Sequence, residues 1–304
     1  MLRVLTISTL FPNGVQPNFG VFVGKQTQAL AAQDGVEVRV VNPIPMPPFP
    51  LSLHSYYRPL HRLPAEEDWQ GVRVARPRML TVPGISGPFN PTSLVKAARP
   101  IIRRWRDEGF AFDVIDAQFF YPDGPAAARL AAEFGVPLLI KARGDDIHYW
   151  GARWGCGKQI MRAASQAASL LSVSKSLARD MAAMGMDAGK IAVHYTGCDL
   201  DRFRLQDRAA AKAKLGVQGP LVVSLGALIP RKGHDLVIEA LAGIPDVTLF
   251  VVGEGPEQNR LAGLVQAHGL QDRVRLIGSL PHGELPDILG AADVMALASE
   301  SEGL

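Results

Sequence analysis

Short apolar runs alternate along this chain with longer stretches of helical period, and that alternation predicts βαβ units around parallel sheets. In the first half, strands are expected at Arg3–Ser8, Val36–Val41, Val72–Arg76, Val114–Asp116, Leu138–Lys141 and Leu170–Val173. Helices are expected between them at Phe22–Gln33, Thr92–Glu108, Pro125–Glu133, Lys158–Ala167 and Lys175–Met184. After a polar stretch, Asp201–Gln218, a second series predicts strands at Leu221–Leu225, Val247–Val252, Val274–Gly278 and Val294–Ala298. Its helices are expected at Gly233–Leu241, Gln258–His268 and His282–Leu289, and its last strand reads as buried. The fold class expected is α/β, with two doubly wound Rossmann-like domains at residues 1–200 and 201–304 and a hinge near 196–218.

One segment breaks the alternation. Pro43-Ile44-Pro45-Met46-Pro47-Pro48-Phe49-Pro50, continuing to Leu63, is Pro-rich, aromatic and basic, and is read as a loop because proline cannot donate to a strand ladder. It is either a rigid surface excursion or a surface for a lipid-linked acceptor or the bilayer. In the second case Phe49, Leu51, Tyr56, Tyr57, Arg58 and Arg62 act together.

Composition narrows the class. With 304 residues, 47% hydrophobic and 20% charged, the chain has the profile of a soluble globular protein of two domains. A net charge of +3 suits anionic ligands or an anionic membrane surface. No block of Lys/Arg with interleaved aromatics occurs, so no nucleic-acid partner is expected. Cys156 and Cys198 lack metal-ligand spacing and read as free thiols of a reducing compartment. The apolar start is too short for a signal peptide and no apolar run reaches membrane-spanning length. The expected location is cytoplasmic, with peripheral association on the inner face of the cell membrane left open.

Three patterns mislead. Gly20-Val21-Phe22-Val23-Gly24-Lys25-Gln26 begins like a nucleotide phosphate loop, but its glycine spacing is short and Gln26 replaces the Mg-binding hydroxyl. Gly253-Glu254-Gly255 begins like a dinucleotide fingerprint but lacks the third glycine. Asp199-Leu200-Asp201 has the look of a metal site, but its place near the hinge suggests capping, and no metal is expected. Leu225-Gly226-Ala227-Leu228-Ile229-Pro230-Arg231-Lys232-Gly233 is different. It joins a strand to a helix N-terminus with adjacent cations, a place to hold an anionic diphosphate. A solvated Arg-Lys pair before a helix is the plainer alternative.

That loop resembles the "G-R-L…K-G" loop of glycosyltransferase family 4, retaining enzymes of the GT-B fold. His194-Tyr195-Thr196-Gly197-Cys198-Asp199…Phe203 resembles its "P-N-G-V-D…F" hinge, Leu249–Pro256 its "l-v-G-x-G-p" strand end, and Arg273–Gly278 its "V-x-f-l-G" strand. Phe19–Gln26, Phe120-Tyr121-Pro122-Asp123-Gly124 and Arg143-Gly144-Asp145-Asp146-Ile147 resemble marks of a subgroup that builds cell-surface polysaccharides or lipid-linked glycans. The resemblance covers nearly the whole chain.

The resemblance implies transfer of a sugar from a nucleotide diphosphate sugar to an acceptor hydroxyl with retention, without a metal or other cofactor. Lys232 would contact the donor diphosphate. Arg231 would substitute for the family's Arg after the loop glycine, where this chain has Ala227 beside Gly226. The base would lie against Ile277 and Gly278. Gly20 would let backbone approach the donor, or be a plain turn. Arg143 and Asp146 would contact sugar hydroxyls, or form a structural pair capping a turn. Glu302 matches the first Glu of "E-x(7)-E", and the second would fall beyond Leu304. The chain is therefore expected to be C-terminally truncated, with a weakly active or inactive donor site. A nucleotide-sugar epimerase on the same fold and a non-catalytic scaffold are the alternatives.

Overall fold

The computed structural model describes residues 1–300. The described residues divide into two compact units, 1–197 and 198–300.

In the first unit, β1 (Leu2–Ile7), β2 (Val36–Val41), β4 (Glu66–Trp69), β5 (Val72–Ala75), β7 (Val114–Ala117), β8 (Leu138–Ala142), β9 (Ser169–Ser172) and β10 (Ile191–Val193) form one sheet in the order β10-β9-β8-β7-β1-β2-β5-β4. Every pair is parallel except β4 with β5. The central strands are near-continuous apolar runs because both faces are covered. Leu5, Ile7, Ile115 and Ile140 are wholly buried. Helices Asn90–Asp107 and Asp123–Phe134 pack over this sheet, with Leu94, Ile102, Trp105 and Leu130 facing the core.

The structure differs from the sequence expectation at several points. The segment 43–63 is not all loop: β3 (Ile44–Met46) pairs in parallel with β6 (Arg78–Leu80), and short 3-10 turns follow at Leu51–Leu53 and Arg58–Arg62. Pro45 is tolerated because Ile44 N–H bonds Pro77 O and Thr81 N–H bonds Met46 O, one residue to either side. Asp145–Gly151 is a helix that the turn-like motif conceals. The polar stretch 201–218 contains a helix, Arg208–Lys214, whose N-cap Asp207 accepts the N–H groups of Ala209 and Ala210.

The second unit holds β11 (Leu221–Leu225), β12 (Thr248–Val252), β13 (Val274–Gly278) and β14 (Val294–Met295), all parallel in the order β13-β12-β11-β14. Two apolar layers cover its faces, one around Ile238, Leu249 and Leu261, the other around Val223, Phe250 and Ile288. The final strand departs from its expected burial. Val294 and Met295 are 54% and 52% exposed, because β14 is an edge strand with β11 as its neighbour among the described residues.

Candidate functional site

In the second unit the loops leaving β11 and β12 are pressed backbone to backbone. Gly226 N–H bonds Val252 O, Leu228 N–H bonds Glu254 O, and Gly253 N–H bonds Gly278 O. A side chain on Gly253 would stand 1.8 Å from Gly226 O, and one on Gly255 2.4 Å from Leu228 O. The glycines that mimic a dinucleotide fingerprint thus permit a close backbone crossing. Gly253 also has φ of 150°, a conformation that side-chain-bearing residues rarely adopt.

This crossing presents the turn Pro230–Lys232 at the carboxyl end of β11, where open parallel sheets bind ligands. Arg231 and Lys232 are half-buried, and the Lys232 stem passes 3.7 Å from where a Gly226 side chain would begin. Gly278 carries positive φ at the end of β13, with Ile277 before it. Glu302 lies outside the described residues.

The sequence reading missed His234. It is 2% exposed, with Nδ1 2.8 Å from Ser224 Oγ and Nε2 3.3 Å from Ala227 O. A carbonyl only accepts, so Nε2 carries the proton and Nδ1 takes the Ser224 hydroxyl. Burial holds the ring below the usual histidine range, despite its bonds to the Ala227 and Gly226 backbone, so it is neutral at neutral pH. His234 pins the loop after β11 to that strand without adding charge. The signal was a polar ring immediately after the loop glycine, at the start of an apolar helix face.

In the first unit, charged groups collect at the carboxyl ends of β7 and β8. Arg143 reaches back into the protein. Its guanidinium bonds Gln118 Oε1, Gln118 O at 3.2 Å and Gln26 Oε1 at 3.1 Å, and lies 4.8 Å from the Phe22 ring centre. Asp146 does not pair with the Arg143 side chain. Fully buried, its carboxylate accepts the N–H groups of Phe120, Arg143 and Gly144. It braces the loop that carries Arg143 instead of facing a surface that a sugar could touch, and burial raises its pKa to about 6.

Lys141, Asp123 and His194 belong to the same neighbourhood, although the sequence reading carried Asp123 and His194 only as members of motifs and gave them no role. Lys141 is wholly buried, donating to Gln26 Oε1 at 3.0 Å and to His194 Nδ1 at 2.7 Å. Burial, then Arg143, lowers Lys141 to about 8, and burial lowers His194 as well, so an imidazole acceptor fits. Asp123 is also wholly buried and accepts Thr9 N–H at 2.9 Å, while burial drives its pKa to about 8. The signal for Lys141 was a cation within the apolar run Leu138–Ala142. Gly20 has φ of 66°, and a side chain there would meet the Leu10 carbonyl carbon at 2.5 Å. Backbone packing therefore accounts for this glycine, in line with the plain-turn alternative.

Asp199 caps its own turn through Arg202 N–H, at 3.2 Å. Among the described residues no group of three or more His, Cys, Asp or Glu is placed to hold a metal ion. No helix among them is long and apolar enough to cross a membrane.

Comparison with known proteins agrees with this geometry. The sequence pattern of the glycosyl transferase 4-like domain matches residues 19–197, and that of glycosyl transferases group 1 matches residues 206–304. The putative teichuronic acid biosynthesis glycosyltransferase TuaC of Bacillus subtilis is 28% identical over 311 residues, spanning 100% of this chain and 76% of that protein. The D-inositol 3-phosphate glycosyltransferase of Mycobacterium tuberculosis is 39% identical over 126 residues, covering 39% of this chain and 26% of its own. Sucrose-phosphate synthase from Thermosynechococcus elongatus shares the fold with a TM-score of 0.77 at 20% identity, covering 100% of this chain and 77% of that one. Anabaena HepE, solved with UDP-glucose, matches with a TM-score of 0.70 at 19% identity, covering 100% and 75%.

Proposed function

Because the chain belongs to the glycosyl transferase 4-like family and has the GT-B type of fold, we propose that it moves a sugar from a nucleotide diphosphate sugar to an acceptor hydroxyl with retention of anomeric configuration. The observation that carries this reading is the loop Gly226–Lys232, held by a close backbone crossing and a neutral buried histidine, with its cations left at the surface. UDP-glucose in HepE makes a uridine donor the first to try.

Cleavage of the donor's glycosidic bond leaves growing negative charge on the diphosphate and an oxocarbenium-like sugar. Lys232, aided by Arg231, would stabilise that charge. The base would lie along Ile277 and Gly278, and Glu302 is assigned to the donor sugar by the family resemblance. Departure and attack on one face, with the leaving phosphate taking the acceptor proton, give retention without a protein nucleophile. Arg143 is the cluster residue offered for sugar contacts, with Asp146 as its brace. The acceptor is proposed to be a glycan or lipid-linked glycan, and the enzyme to act in the cytoplasm, at the membrane surface where the acceptor demands it.

The test is Lys232→Ala. Removing one cation is expected to weaken UDP binding about tenfold to a hundredfold in calorimetry, and to lower kcat about a hundredfold wherever turnover is measurable. Unaltered UDP binding would sink the assignment. Nucleotide release that depends on added acceptor separates transfer from epimerisation, and absence of any nucleotide-sugar binding would favour a scaffold.

A further inference from the structure

A cavity of about 330 Å³ opens in the first unit beside the Pro-rich segment. That volume lies at the lower end of the roughly 300–1,000 Å³ typical of small-molecule sites. Its apolar wall includes Phe11, Ile44, Leu60, Met79, Phe119 and Trp150, drawn from β1's following loop, β3, the turn Arg58–Arg62, β6, the loop after β7 and the helix Asp145–Gly151. None of the charged cluster around Lys141 and Arg143 lines it.

Several polar side chains in that wall are already bonded to the protein. Asn42 holds Ser8 O and the Arg76 guanidinium. Asn13 Oδ1 accepts the N–H groups of Val15 and Gln16. The Tyr121 hydroxyl donates to Gly87 O at 2.5 Å, and Asn90 Oδ1 accepts from Ser86 at 2.7 Å. An apolar chain brought here has no hydrogen bonds to water to lose.

The segments that build the cavity also carry exposed apolar side chains. Phe49, Ile85, Phe89 and Trp154 are 78%, 73%, 67% and 87% exposed. Such a concentration on neighbouring segments is uncommon unless something apolar is met there. At the cavity wall Arg153 stacks over Tyr149 at 4.4 Å and Trp150 at 5.5 Å, and no carboxylate among the described residues pairs with it. Arg58 and Arg62 flank Leu60 on the same turn.

We propose that this cavity takes the apolar chain of an amphiphilic acceptor, with Arg153 receiving its anionic head. The inference rests on the glycosyltransferase reading for the word acceptor, and on the cavity alone for the ligand's chemistry. It converts the Pro-rich segment from a surface that meets a bilayer into one wall of a defined pocket.

Farnesyl phosphate and dodecyl phosphate, each below its micellar concentration, are titrated into the 304-residue chain by calorimetry, with inorganic phosphate as the head without a tail. Saturable one-to-one binding of a tailed phosphate, and none of inorganic phosphate, is expected. A preference between the two tails separates a prenyl from an acyl source. Val82→Trp, which fills the cavity from the loop after β6, should weaken binding at least tenfold with an unchanged thermal midpoint. Tyr57→Glu, from another wall, gives the same readout if that variant does not fold. Failure of both tails to bind, equal affinity in a folded variant, or adsorption to vesicles without one-to-one saturation overturns the proposal. A UDP titration of the same wild-type sample keeps the readings apart. UDP binding without tail binding removes only the pocket assignment, and tail binding without UDP binding removes only the donor assignment.

Discussion

The loop after β11 and the cluster around β8 both gather charge at the carboxyl ends of parallel strands, and they do so by opposite means. Around β8 the charges go inside: Lys141, Asp123 and Asp146 are wholly buried and their pKa values move toward neutrality. After β11 the buried group is a neutral imidazole, and Arg231 and Lys232 stay half-exposed. A binding loop for an anion keeps its cations solvated and spends its interior on backbone contacts. A buried ionic cluster does the reverse, fixing geometry at the expense of charge. The difference supports the proposal that the β11 loop holds the donor diphosphate, while the β8 cluster frames Arg143.

The largest expected effect breaks the β11 loop. Gly253→Ala puts a methyl group 1.8 Å from Gly226 O in a backbone region hostile to side chains. A stability loss of about 3 kcal/mol or more in urea unfolding is expected, together with loss of UDP binding. A folded, UDP-binding variant would show that the crossing is not tight. His234→Phe comes next. It leaves the Ser224 hydroxyl and Ala227 carbonyl without their buried partner, at about 1–3 kcal/mol, and should weaken UDP binding about tenfold by loosening the loop. Lys232→Ala sharpens this contrast, since it should weaken UDP binding while leaving the unfolding midpoint nearly unchanged.

The smallest effect tests the frame around β8 through pH. Asp123 moves from 3.8 to about 8 on folding, and Asp146 from 3.8 to about 6. Between those values the folded chain holds more protons than the unfolded one, so each group makes stability fall as pH rises, over about pH 4–8 for Asp123 and pH 4–6 for Asp146. Lys141, lowered from 10.5 to about 8, acts in a higher window and makes stability rise there. Asp123→Asn keeps an acceptor for Thr9 N–H and cannot ionise, so it should flatten the fall between pH 6 and 8, where Asp146 contributes little. An unchanged slope in thermal unfolding across that interval would mean that Asp123 does not carry the proton.

Much of this was legible before the fold was known. The alternation of apolar runs placed the main strands of both units within a residue or two, the short last strand Val294–Met295 excepted, because parallel strands covered on both faces must be apolar throughout. Gly226, Arg231 and Lys232 could be singled out as candidates because cations next to a helix start are visible in one short window. Arg143 and Asp146 were expected to contact sugar hydroxyls or to form a pair capping a turn; Asp146 does cap the turn, but not by pairing with the Arg143 side chain. Three residues apart, they look like an ion pair, yet Asp146 turns to backbone N–H groups and Arg143 to Gln118 and Gln26. Lys141 and His194, 53 residues apart, meet only when their elements come together at the sheet.

By itself the sequence determined the parallel α/β layers and the family, since each depends on local periodicity or on residues close in the chain. Tertiary structure alone decided what the glycines at 20 and 253 avoid, which charges are buried, and that a proline-rich stretch helps wall an apolar cavity. Those outcomes depend on distances between segments far apart in sequence, where close packing and desolvation set the energies and periodicity carries no record of them.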